Sequence, residues 1–118
     1  MTIRQGDIFW APLDEADGHG TGITHPHVVI QDDAINQSRV RTVVVCGLTT
    51  NRKRAAEPGN VQLDPGEGNL PKPSIVVVAQ VSAVRKEDLG DYIGTLSRER
   101  VGQILDGMRS LQWFLAGR

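Results

Sequence analysis

Cysteine is nearly missing from this chain: Cys46 is the only one, so no intramolecular disulfide can form. It lies in the apolar run Val43-Val44-Val45-Cys46, where a thiol packs as a small hydrophobe rather than reacting. Aromatic side chains are scarce too, at 4% of 118 residues. Stacking surfaces are therefore few, and Trp10 and Trp113 are expected in the core or at a subunit interface. Charge of one sign is not in excess: 13 basic against 14 acidic residues leave a formal charge of -1. Attraction to a polyanion must then come from local patches. No stretch approaches the roughly 20 apolar residues of a membrane span, and the first residues lack the apolar core of a secretory leader. A cytoplasmic location without membrane contact is the resulting expectation.

What the chain does contain is clustered valine, isoleucine and leucine within an apolar fraction of 39%, enough for a folded core. Its length suits a single domain over residues 1–118. The first two-thirds read as short strands separated by turn signals, as in a small β-barrel or sandwich. Strands are predicted over 7–13, 27–31, 41–48, 60–63, 74–81 and 92–96. The run over 41–48 is apolar enough to lie at the centre of the sheet. Residues 14–24, with Gly18, Gly20 and Gly22, read as a mobile connection, 32–38 as a short acid-capped helical turn, and 64–73 and 84–90 as turns. A terminal helix follows Ser97, a plausible N-cap. Val101, Ile104, Leu105, Met108, Leu111 and Leu115 recur on one of its faces, with Gly102 and Gly107 as weak points.

Two strand ends carry polar groups. Thr24-His25-Pro26-His27 leads into Val28-Val29-Ile30, and Val43-Val44-Val45-Cys46 runs out into Gly47-Leu48-Thr49-Thr50-Asn51. Two such mouths suggest one shared site. With Gly6-Asp7-Ile8-Phe9-Trp10 and Val76-Val77-Val78-Ala79-Gln80-Val81, these segments resemble the MazF/PemK family of toxin-antitoxin ribonucleases from about residue 4 to residue 111. The resemblance implies a mainly β chain with a C-terminal helix, in the small SH3-like antiparallel barrel of MazF and CcdB toxins. It also implies sequence-selective, metal-independent cleavage of single-stranded RNA (mRNA), no cofactor, a homodimer, and neutralisation by a cognate antitoxin protein. Trp113 and Phe114 would help to build the dimer.

In that family the entrance to the second strand usually reads Arg-Pro, and the arginine is catalytic. Here it reads His25-Pro26. An imidazole takes and returns a proton near neutral pH, whereas a guanidinium only stabilises anions, so acid–base work can replace charge stabilisation. The family's threonine after the central strand maps onto Thr49, whose hydroxyl would donate to a phosphate oxygen, with Thr50 as its close alternative. Gln80 matches a family position that can read a base edge, while the acidic residue that often precedes it is Ala79 here. Asn51, Arg52, Lys53, Arg54 and Lys72, together with Arg39 and Arg41, are the polar and basic residues assigned to the mouths and to the RNA backbone. Base recognition would rest on amides and backbone. His19, His25 and His27 invite a metal reading, but no further residue completes a ligand pattern, and no metal is expected. The departures at His25 and Ala79 keep open a non-catalytic alternative on the same barrel, a CcdB-like topoisomerase inhibitor or an antitoxin-binding module.

Overall fold

The computed structural model describes residues 2–12 and 23–116, the last four of these by backbone alone. Six strands, β1 (Asp7–Pro12), β2 (Thr24–Val29), β3 (Thr42–Thr49), β4 (Val61–Leu63), β5 (Ser74–Arg85) and β6 (Tyr92–Thr95), form one sheet in the order β4-β5-β3-β2-β1-β6. Every pairing is antiparallel. A short helix α1 (Asp33–Asn36) follows β2, and the long helix α2 (Arg98–Ala116) closes the chain. The mainly β architecture with a C-terminal helix matches the expectation, and β3 lies inside the sheet between β2 and β5. The expected loop over residues 14–24 falls for the most part outside the described residues, as does His19.

The curled sheet buries apolar side chains on both faces. Ile8, Val28, Cys46, Leu48, Val76 and Val78 share one cluster with Ile104 of α2, while Ile3, Phe9, Val29, Val43 and Val45 form the other. Val101, Leu105, Met108 and Leu111 pack their apolar face against the first cluster. Ser97 caps α2 as its type suggests, its Oγ accepting from the Arg100 N–H at 3.2 Å. The two helix glycines differ in purpose. A Cβ on Gly107 would collide with the Gly59 carbonyl, so this glycine lets helix and loop backbones touch. Nothing lies within 4 Å of a Cβ on Gly102, which no contact explains. Arg100 then ties α2 to the short turn over Glu67–Asn69 through two hydrogen bonds of 2.9 Å to the Glu67 carboxylate. Burial raises the Cys46 thiol to about 12, in keeping with its packing role.

Three expectations need correction. β2 begins at Thr24 rather than at residue 27 and ends at Val29, because β1 offers partners down to Pro12↔Thr24. Pro26 is tolerated inside it for a specific reason. Its partner Trp10 turns both backbone groups toward β6, bonding Asp91 O at 3.1 Å and the Gly90 N–H at 2.6 Å. That pair therefore needs no N–H from Pro26, and β3 pairs with β2 only from His27↔Gly47 onward. β5 continues to Arg85 instead of stopping near residue 81, since the first half of β3 pairs with it from Thr42↔Arg85 to Cys46↔Val81. Arg52–Ala56 is a 3-10 turn rather than open loop, with the Asn51 side chain accepting from the Lys53 N–H at 3.1 Å.

Candidate functional site

A cavity of about 420 Å³ opens where β2 begins and β3 ends, and it gathers His25, Thr49, Thr50 and Lys72. Each arrives from a different local cause. His25 is carried by the extra length of β2, paired opposite Ala11. Thr49 is the last residue of β3, paired with Ile75 beyond an irregularity in the ladder between Cys46 and Leu48. Lys72 stands between Pro71 and Pro73 on the approach to β5, where the Lys72 carbonyl accepts from the buried Ser74 hydroxyl at 3.0 Å. Trp10, Pro26, Leu48, Leu70, Pro71 and Ile93 supply apolar walls, and among the described residues no carboxylate lines the cavity.

Two of these polar groups keep hydrogen-bonding capacity that the described residues do not use. Thr49 Oγ1 accepts from the Asn51 N–H at 3.1 Å, which leaves its O–H as a donor. The half-buried His25 ring makes no hydrogen bond among the described residues. His27 behaves differently. It is 4% exposed, its Nδ1 donates to the His25 carbonyl at 2.7 Å, and burial above all else lowers its pKa, with the His25 charge adding to the effect. It thus stays neutral near neutral pH and pins the backbone on which His25 is mounted.

The other residues assigned from the sequence do not line this cavity. Asn51 is occupied as the cap of the 3-10 turn, and Arg54 is paired with Glu57. Arg52 and Lys53 stand exposed on the same turn without an ion pair among the described residues. Gln80 lies against Gly47, whose Cβ would come within 2.9 Å of the Gln80 Oε1. Arg39 and Arg41, expected near the mouths, instead line a second cavity of about 410 Å³ with Arg85, Lys86 and Glu87. That cavity sits at the other end of β3, roughly 24 Å from Thr49 at about 3.4 Å per residue. Among the described residues no three His, Cys, Asp or Glu side chains are grouped to hold a metal ion.

Two contributors were missed. Trp10, expected in the core or at a subunit interface, is outside the core at 41% exposed and forms a wall of the cavity. Its strand neighbours Phe9 and Ala11 are buried at 1% and 0%, but alternation also places Trp10 on the side of the buried Ile8, so the sequence carried no clear signal for it. Asn69 also lines the cavity, with a left-handed φ of 64° that asparagine tolerates, and its Nδ2 donates to the Ile93 carbonyl at 2.9 Å. Nothing in the turn-rich run over 64–73 singles this residue out.

The curled six-stranded antiparallel sheet closed by a C-terminal helix is the fold of solved MazF proteins. MazF from Deinococcus radiodurans shares it at a TM-score of 0.74, with 17% identity over 95% of this chain and 97% of that one. An endoribonuclease from Mycobacterial species, solved in complex with its cognate antitoxin, matches at 0.73, with 23% identity over 92% of each chain. In sequence, residues 4–111 match the model of the PemK-like, MazF-like toxin of type II toxin-antitoxin system. Endoribonuclease MazF2 of Mycobacterium bovis is 35% identical over 109 residues, which span 92% of this chain and 96% of that protein. The chain belongs to the PemK/MazF-like toxin family.

Proposed function

We propose that the protein is the endoribonuclease toxin of a toxin-antitoxin pair and cleaves single-stranded RNA in the cavity between β2 and β3. One observation carries this reading: an imidazole, two hydroxyls and an ammonium meet in a single cleft of a chain with this family membership. The donor set suits transfer within the RNA itself. The 2′-oxygen of one nucleotide attacks the adjacent phosphorus as the bond to the 5′-oxygen breaks. The products are a 2′,3′-cyclic phosphate and a 5′-hydroxyl. His25 serves as the proton-transfer group, receiving the 2′-OH proton or delivering one to the leaving oxygen. Thr49, with Thr50 beside it, donates to the nonbridging oxygens as their charge grows, and Lys72 adds a positive charge at the rim. The chemistry of these side chains calls on no metal. Arg52 and Lys53 extend a positive margin along which the RNA backbone can run.

The further expectations belong to the same reading. The protein works as a homodimer in the cytoplasm, recognises a short RNA sequence, and is held inactive by an antitoxin whose tail competes for the RNA cleft. Incubating the purified protein with a long RNA and mapping new 5′-hydroxyl ends tests it. Ends recurring at one sequence are the expected result, and intact RNA across diverse substrates would refute the enzymatic reading. A second reading draws on His25 and Ala79, which stand where the family usually carries an arginine and often an acidic residue. A binding module on the same barrel would then inhibit a topoisomerase without cutting RNA, and a gyrase assay separates the two.

A further inference from the structure

We infer that Trp10 is a fixed stacking surface for one nucleobase beside the scissile phosphate; this rests on the RNA-binding reading of the same cleft. The first observation is where the indole stands. In a strand whose neighbours Phe9 and Ala11 are at most 1% exposed, the largest side chain is 41% exposed. It forms a wall of the cavity that holds His25 and Thr49. No hydrogen bond, ring contact or ion pair uses the indole among the described residues, so both its face and its Nε1–H remain available.

The second observation is rigidity. Both backbone groups of Trp10 are bonded to the 90–91 segment, and a Cβ on Gly90 would come within 3.1 Å of the Trp10 Cβ, so the strand and the preceding loop grip the residue closely. The third is register. Trp10 pairs with Pro26 and Ala11 with His25, so Trp10 and His25 belong to neighbouring cross-strand pairs, and both line the cavity. A non-hydrogen-bonded antiparallel pair brings Cα atoms to about 4.5 Å. A base resting on the indole is then attached to a sugar within reach of the imidazole. The apolar neighbours Pro26, Leu70 and Ile93 suit the flat faces of a base and offer little to an anion. A cavity of about 420 Å³ can hold a base with part of its sugar. A tryptophan face accepts any base, so its role is affinity and placement, and the sequence preference must come from polar groups at the rim.

The test is a binding measurement independent of cleavage. With Trp113→Phe as background, Trp10 is the sole indole, and the protein is titrated with a mixed-sequence 2′-O-methyl RNA of about twenty nucleotides, longer than the usual single-strand site. This probe can bind but has no free 2′-OH to attack. Indole emission should quench as the RNA saturates. Trp10→Leu, which keeps apolar bulk without a π face, should weaken binding by about tenfold or more, and Trp10→Phe by about threefold or less. Thermal melting of each variant separates lost stacking from lost folding. If Trp10→Leu fails to fold, the quenching and the Trp10→Phe affinity still decide. Absence of quenching on binding, or parental affinity in a folded Trp10→Leu protein, overturns the inference. RNA that binds and quenches yet is never cut in its unmodified form would refute the enzymatic proposal and leave this one standing.

Discussion

The two ends of β3 carry cavities of nearly equal size, about 420 and 410 Å³, and differ in almost everything else. At the Thr49 end, the His25 imidazole, the Thr49 and Thr50 hydroxyls and the Lys72 ammonium stand with Asn69 and Ser74 among apolar walls. At the other, four cations crowd together, but Arg85 is bound to Glu87 and Asp88, and the Lys86 Nζ is spent on the carbonyls of Asn36 and Ser38. Density of charge alone would have favoured the second cavity, and volume does not separate the two. The proposed reaction needs a group that takes or gives a proton near neutral pH, and of the two only the first cavity holds an imidazole, set among apolar walls.

The sharpest way to break this comparison is to remove the proton carrier. His25→Ala should lower single-turnover cleavage about 10³-fold while RNA affinity changes by about threefold or less. The double variant Arg39→Ala with Arg41→Ala should cleave within about threefold of the parent, because neither guanidinium lines the reacting cavity. Equal losses in both would erase the distinction between the two ends. Thr49→Val is expected to cost about 10²-fold in the chemical step with the fold unchanged, as for the loss of one oxyanion donor. Rapid-quench kinetics would read it, and a purely affinity-based loss would reassign Thr49 to binding.

Smaller effects probe the scaffold behind the cleft. Gly107→Ala drives a methyl group into the Gly59 carbonyl and should destabilise the protein by about 1–3 kcal/mol, seen as a lower urea midpoint. Gly102→Ala, with nothing in its way, should stabilise it by up to about 1 kcal/mol. The two histidines also separate by pH. Because burial lowers the His27 pKa in the folded state, the unfolded chain binds its proton first. Stability from this residue is complete above about pH 6.5 and is lost as pH falls toward the lowered folded value. His27→Gln should flatten that acid limb in denaturant titrations, and an unchanged slope would contradict the burial argument. Glu67 adds a lower window. Its hydrogen bonds to Arg100 hold the carboxyl below its usual range, so their contribution is full above the unfolded value of about 4.3 and disappears as pH drops through the folded one.

Much of this molecule can be read along the chain. The apolar runs marked each of the six strands, and the three- and four-residue spacing from Val101 to Leu111 marked the face of α2 that meets the core. His25 and Thr49 were named from their place at strand ends together with the family positions that they match, and the fold brings both to one cavity. Trp10 is not the core residue that its size suggests, because its register beside Pro26 puts it on the cleft wall. Arg39 and Arg41 were misplaced because nearness in sequence to β3 does not say which end of the strand a side chain serves.

By itself, then, the order of residues determined which segments bury a face, where the terminal helix starts and which side chains have chemistry to offer, since periodicity, capping and hydroxyl or imidazole character are local properties. Tertiary pairing alone decided that β2 reaches back to Thr24, that β5 runs on to Arg85, and that Gln80 lies over Gly47 while Trp10, His25, Thr49 and Lys72 face a common space. The reason is physical: strand ends and shared cavities depend on partners from distant parts of the chain, and no local pattern records which partner will be there.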